Sequence, residues 1–190
     1  MLILSDLRND YMKRIVFFFT IFTCFGWGLF AQPALEDGEE NGRLLNSAEL
    51  RNEKWYYDLD EALSEPEKVY KLSLTDQKMK TLSADIGNLK NLQMLSLSNC
   101  GLKHIPVEIA QCNRLQMISM YNNKLKYLPI EFRELQKLEV LYLGRNRLTE
   151  MPLWVGGLGK LKRLDISRNR ITPEELTYIK RILPRATVTY

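Results

Sequence analysis

The sequence predicts an α/β solenoid, a coil whose strands stack into one parallel sheet, with a helical cap before it and a helix–strand cap after it. Three observations carry this. From Val69 onward the same apolar pattern returns every 23 residues, and a fixed period of that size marks a repeat architecture. Within each copy the first slots run Leu-x-x-Leu-x-Leu, ending in strand alternation, while the later slots come every third residue, as in short turns or 3₁₀ pieces. Helix-start signals stand on both sides of the array.

In chain order, residues 1–31 read as a secretory leader. Lys13 and Arg14 precede the apolar run Ile15–Phe30, and Leu29-Phe-Ala31 before Gln32 fits a signal-peptidase site. Met12 just before Lys13 offers an alternative start that would remove residues 1–11. Two other fates stay open. The run could be kept as an anchor, although Thr20, Thr23, Gly26 and Gly28 interrupt it and it falls short of the ~20 apolar residues a span needs. Cys24 could carry a lipid, although Ile21-Phe-Thr-Cys24 is a poor lipidation motif. Cleavage near Ala31 fits best and predicts export to the periplasm, the cell surface or the medium. Residues 32–54, with Glu36, Asp37, Glu39 and Glu40, read as an acidic disordered linker. Residues 55–68 read as an N-terminal cap in which Asp58 and Glu61 start a helix, Leu59, Ala62 and Leu63 face the coil, Pro66 follows, and Trp55, Tyr56 and Tyr57 add apolar surface.

The repeats occupy 69–91, 92–114, 115–137, 138–160 and 161–171 onward. The fourth shows the pattern best, with Leu138, Leu141, Leu143, Asn146, Leu148, Met151, Pro152, Val155 and Leu158. One copy cannot bury its own apolar side, so copies must stack, placing strands about 4.8 Å apart. The slot leaving the strand holds Gln77, Cys100, Asn123, Asn146 and Asn169. An amide there both donates and accepts, so a stacked column can satisfy buried backbone groups at the bend. Pro106, Pro129 and Pro152 in the arc fix φ and need no acceptor. Residues 172–190 read as a C-terminal cap. Thr172-Pro-Glu-Glu175 begins a helix with Leu176, Ile179, Ile182 and Leu183 on one face, Pro184 ends it, and Ala186–Tyr190 alternate like a closing strand. With both ends covered, the array reads as a small domain in its own right.

On these residues the chain, from about Tyr57 to Tyr190, resembles the leucine-rich repeat family, in its 23-residue class with Leu-Pro-x-x-Ile-x-x-Leu in the arc. The first copy departs from that pattern with Gln77 and Ser83, the second with Cys100. The resemblance implies a right-handed leucine-rich repeat coil with a concave parallel β-sheet, as in small exported bacterial members. It also implies binding without catalysis, and names no ligand.

The residues agree that no reaction is coded here. His104 is the only histidine and falls in the convex arc. Ser96, Ser98 and Ser119 fall on the strands, away from it. No phosphate loop, paired-carboxylate cleft, zinc pattern or cofactor motif occurs. Cys100 and Cys112 occupy apolar slots on opposite sides of one coil cross-section, beyond the roughly 7 Å over which a disulfide can form, and read as buried free thiols.

What the coil binds is written on its outward strand positions. One column reads Lys71, Met94, Met117, Val140, Arg163, the next Ser73, Ser96, Ser119, Tyr142, Asp165, and a third Thr75, Ser98, Tyr121, Gly144, Ser167. The edge reads Asp76, Asn99, Asn122, Arg145, Arg168. Met, Tyr and Arg are enriched in protein interfaces, so the candidate partner-binding set is Met94, Met117, Tyr121, Val140, Tyr142, Arg145, Arg163 and Arg168. A second stripe follows the arc prolines, with Ala84, Val107, Ile130 and Leu153 beside Trp154. Packing against the arc is the plain explanation of it, a convex contact surface the other. Residues 32–68 hold 4 basic and 11 acidic residues, net −7, and residues 69–190 hold 20 and 10, net +10. The basic coil suggests an acidic partner. A protein bound on the concave face is the first expectation and an anionic glycan or lipid surface on the basic edge the alternative. Nucleic acid is not expected for an exported chain, and the oligomeric state is left open. The acidic linker could also fold back on the basic face.

Overall fold

The computed structural model describes residues 43–190. The leader, its cleavage near Ala31, Cys24 and the Glu36–Glu40 cluster lie outside the described residues. Each copy contributes a three-residue strand: β2 Lys71–Ser73, β3 Met94–Ser96, β4 Met117–Ser119, β5 Val140–Tyr142 and β6 Arg163–Asp165. The chain returns through five-residue 3₁₀ turns at Ala84–Asn88, Val107–Gln111, Ile130–Glu134 and Leu153–Gly157. Strands pair in sequence order, all parallel, into one seven-stranded open sheet. The register steps by 23 residues from β2 to β6, so Lys71, Met94, Met117, Val140 and Arg163 lie side by side, as do Ser73, Ser96, Ser119, Tyr142 and Asp165.

The periodic slots line one continuous core. Leu72, Leu95, Ile118, Leu141 and Leu164 point into it from the strands; Ile86, Ile109, Phe132 and Val155 close it from the arcs. An arc proline leaves its φ near −65° and its ψ extended, so the next residue begins a 3₁₀ turn whose third position faces inward.

The ends differ from the sequence expectation in several details. Part of the stretch assigned to a disordered linker is ordered: α1, Ser47–Asn52, is a helix. Asn46 Oδ1 accepts from the Ala48 and Glu49 amides at 2.9 and 3.0 Å, and Glu49 Oε2 accepts the Asn46 amide at 2.7 Å. Acidity alone suggested disorder there; the Asn46-x-x-Glu49 capping box overrides it locally. Trp55 and Tyr56 form β1, paired with Lys71 and Leu72, so they extend the sheet rather than only adding apolar surface. After β1 comes α2, Leu59–Ser64, whose Asp58 cap accepts the Glu61 amide at 2.9 Å and whose Ala62 is fully buried. At the other end α3 spans Pro173–Ile182 and β7 spans Thr187–Thr189, pairing with β6. Thr172 Oγ1 accepts the Glu175 amide at 3.2 Å. Glu175 does not reach back to the cap; its Oε1 accepts the Met151 amide at 2.8 Å and so ties the helix to the coil. None of the described helices is long and apolar enough to cross a membrane.

Candidate functional site

The strand side chains that point away from the core form the candidate site, and its two halves differ. Over β2 to β4 the face is a floor of small hydroxyls bonded to one another. Ser73 Oγ donates to Thr75 Oγ1 at 3.2 Å, and Thr75–Ser96 and Ser98–Ser119 pair at 2.8 Å each. At its first strand this face is covered. Lys71 is buried, its Nζ lying 5.2 Å from the Trp55 ring centre and 3.5 Å from the Arg51 carbonyl, and burial lowers its pKa.

From β3 onward larger groups rise from the floor. Met94, Met117 and Val140 are adjacent and half-buried. Tyr121 and Tyr142 are half-buried beside them, and burial raises the Tyr142 pKa, with Arg163 opposing and Asp165 adding to the rise. Arg163 sits next to Val140 in register and is half-buried. Gly144, a member of the third column, is where the Asp165, Ser167 and Tyr121 side chains converge. A Cβ there would stand 2.9 Å from Asp165 Oδ2, 2.9 Å from Ser167 Oγ and 3.0 Å from Tyr121 Cδ2. Its missing side chain lets the Tyr121 ring settle on the sheet. The Arg145 guanidinium lies 5.7 Å from that ring, within cation–π range.

The edge column carries a conformational signature that sequence spacing alone does not show. Asp76, Asn99, Asn122, Arg145 and Arg168 all have positive φ, between 55° and 65°. Asp and Asn tolerate this left-handed region; Arg pays about 1–2 kcal/mol for it. The first three bond along the column, Asn99 Nδ2 donating to Asp76 Oδ1 at 2.9 Å and Asn122 Nδ2 to Asn99 Oδ1 at 2.7 Å. Arg145 and Arg168 replace that ladder with two exposed guanidinium groups. Lys124, Arg147 and Arg170 are exposed one position beyond the Asn slot, so the exit edge of the later copies is a basic ridge.

Behind that edge runs the amide column. Asn146 Nδ2 donates to the Met120 and Leu143 carbonyls, both at 2.9 Å, and its Oδ1 accepts the Leu125 amide at 3.0 Å. Asn123 and Asn169 make the equivalent sets. Gln77 Nε2 instead donates to the Tyr57 carbonyl at 2.7 Å. Cys100 can donate only through its thiol, 3.1 Å from the Leu74 carbonyl. The acceptor it lacks comes from its own backbone, which takes the Met79 amide at 3.0 Å, and the next residue, Gly101, has φ +81°.

His104 is exposed on the arc, its Nδ1 2.9 Å from Tyr127 Oη. Cys100 and Cys112 are buried and free. Among the described residues no group of three or more His, Cys, Asp or Glu could hold a metal ion.

The geometry is matched by comparison with known proteins. Family models described as leucine-rich repeat match residues 91–112 and 129–171. The chain belongs to the leucine-rich repeat family. As such a protein it resembles a Leptospira interrogans LRR protein of solved structure, at 35% identity and a TM-score of 0.64 over 67% of this chain and 33% of that one. It thus spans about a third of that relative's length. The structure titled as a TLR13–ssRNA13 complex aligns at 25% identity and a TM-score of 0.59, over 70% of this chain and 20% of that one. The LRR ectodomain of the receptor kinase SOBIR1 from Arabidopsis thaliana aligns at 24% identity and a TM-score of 0.50, covering 63% and 67% respectively; at that identity it supports the fold alone. No curated protein matches the sequence. Leucine-rich repeat coils are typically interaction modules, whose stacked repeats present an extended surface to a partner.

Proposed function

We propose that this leucine-rich repeat protein is an exported, non-catalytic binder that holds another protein on its outward strand face, between β3 and β6. The observation that carries the reading is the half-exposed Met94–Met117–Val140 column flanked by Tyr121 and Tyr142 and bordered by Arg145 and Arg168. Interfaces draw their energy from such central aromatic and Arg groups, while surrounding contacts mainly exclude water. Placing two arginines in left-handed backbone costs stability, and a contact made by those guanidinium groups is what would offset it. Export rests on the residues of the leader, and N-terminal sequencing of the protein recovered from cells tests it, with Gln32 as the expected first residue.

The binding reading is tested by capturing a partner on the affinity-tagged chain and measuring affinity by calorimetry. Tyr142→Ala with Arg145→Ala should lower affinity by at least ~30-fold, about 2 kcal/mol or more. Leu153→Glu, on the opposite side, should leave it unchanged. It is a better control than Trp154, whose ring packs 6.2 Å from that of buried Phe132. Loss of binding in the Leu153 variant with retention in the double variant would move the site to the convex side. Binding that vanishes in high salt would show that charge alone holds the partner, and the apolar column would lose its role.

A further inference from the structure

Among the described residues six large apolar side chains are exposed, and four lie along the arcs: Val107 at 48%, Tyr127 at 57%, Ile130 at 55% and Leu153 at 75%. Val107, Ile130 and Leu153 each open a 3₁₀ turn directly after an arc proline. The inward job in those turns belongs to the third position, Ile109, Phe132 and Val155, all fully buried. The first position therefore does not pack against the arc, and Ala84 fills it in the first copy. Contiguous exposed apolar surface of this kind marks a contact.

The borders of the stripe say what kind. On its entry side stand Lys103 and Lys126, both exposed; on its exit side, one residue past the stripe, stand Glu108 and Glu131. Among the described residues none of the four has an ion-pair partner. Beside Val107 and Ile130 both borders repeat at 23 residues, so a positive row and a negative row flank the apolar line there, while Thr149 and Trp154 hold the equivalent positions beside Leu153.

We propose that this stripe is a self-association face, on which two copies of the chain pack with a two-fold axis running along the stripe. A two-fold interface must complement itself. An axis along the stripe lays the lysine row of each copy on the glutamate row of the other and sets Ile130 against Ile130. An axis across the stripe would set lysines on lysines. A surface selected for an unrelated partner has no need of equal and opposite borders. The stripe covers only three arcs, so association is reversible and rises with concentration. The outward strand face stays open in the pair, which makes this proposal independent of the binding site above.

The test is sedimentation equilibrium of the full chain in a non-ionic detergent, which suppresses association through the apolar run Ile15–Phe30. The native chain should show a monomer–dimer equilibrium. Ile130→Glu with Leu153→Glu should weaken it at least tenfold, with circular dichroism unchanged because both side chains are exposed. Lys126→Glu and Glu131→Lys should each weaken it several-fold, and the two together should restore most of the loss. With Cys24→Ser in both, a bis-maleimide should link Ile130→Cys chains to each other but not Asn88→Cys chains. A native chain that stays monomeric at every concentration overturns the proposal. So does a dimer indifferent to the Ile130/Leu153 change, or a double charge swap no better than its single members.

Discussion

Asn146 shows how much one side chain holds in this coil. It fills two carbonyls and one amide that belong to two successive turns of the chain. Asn146→Ala leaves the buried Leu125 amide without a partner, while the Met120 and Leu143 carbonyls keep the Asn123 and Asn169 amides; an unmet buried polar group costs about 1–3 kcal/mol. Urea melts should show the loss as a lowered midpoint at unchanged slope. The neighbouring Asn122 is exposed but is no neutral control, because its φ is 55° and its amide bonds to Asn99. Asn122→Gly keeps the backbone conformation and is the fairer comparison. Arg145 makes the opposite case. It sits in the same left-handed region without the short side chain that eases it. Arg145→Asn should therefore raise stability by up to about 1 kcal/mol while weakening partner binding. A thermal melt and a titration on the same sample decide this, and a variant that gains nothing in stability would remove the strain argument.

At the scale of one coil, the second copy departs from the pattern and repairs itself. Cys100 lacks the acceptor an Asn would supply, and its backbone carbonyl turns to take the Met79 amide, with Gly101 at φ +81° just after it. Other copies hold Lys or Arg at the Gly101 position. Gly101→Lys alone should be destabilising by about 1 kcal/mol or more, since a side chain at that φ is strained. Cys100→Asn restores the acceptor and frees the next residue to leave the left-handed region. The double variant should then be more stable than the sum of the single effects, by an interaction energy of about 0.5 kcal/mol or more in a double-mutant cycle. Additive effects would mean that the two substitutions are unrelated. The sequence made Cys100 visible as an exception but not its compensation, because a glycine's φ is decided by the fold around it. Likewise the capping box at Asn46 and Glu49 is readable from residues three apart, yet the surrounding acidity masks it.

For the whole molecule, the two buried thiols offer a probe of how the coil opens. Burial pushes Cys100 up to about 11 and Cys112 up to about 12, from an ordinary value of 9.0. Below pH 9 these groups are protonated in both states and add no pH dependence. Above it the unfolded chain releases the protons while the folded chain keeps them, so stability falls as pH rises toward 11 and 12. At pH 8.5 iodoacetamide should label the Cys100 and Cys112 peptides far more slowly in the native protein than in urea, as read by mass spectrometry. Equal rates would place the thiols at the surface. Because the repeats share one core, both peptides should gain label together as urea is raised.

The coil is legible in the residues alone: the 23-residue period, the strand and arc in each copy, the amide column from Asn123 to Asn169, and the side chains standing in register on the outward face. A repeat makes this possible because each copy meets only its neighbours, so local spacing already states who touches whom. Packing of the turns on one another settles what spacing leaves open. Lys71 shares a column with Met117, yet only Lys71 is covered by Trp55 and the end of α1. Val107, Ile130 and Leu153 turn outward while their equally apolar neighbours two residues on turn inward. Tyr121 settles onto Gly144 from the next strand, and Arg145 adopts a conformation its own side chain disfavours. Each depends on which way a side chain leaves the backbone and on what stands in its path, and those are fixed only when successive turns of the coil are laid on one another.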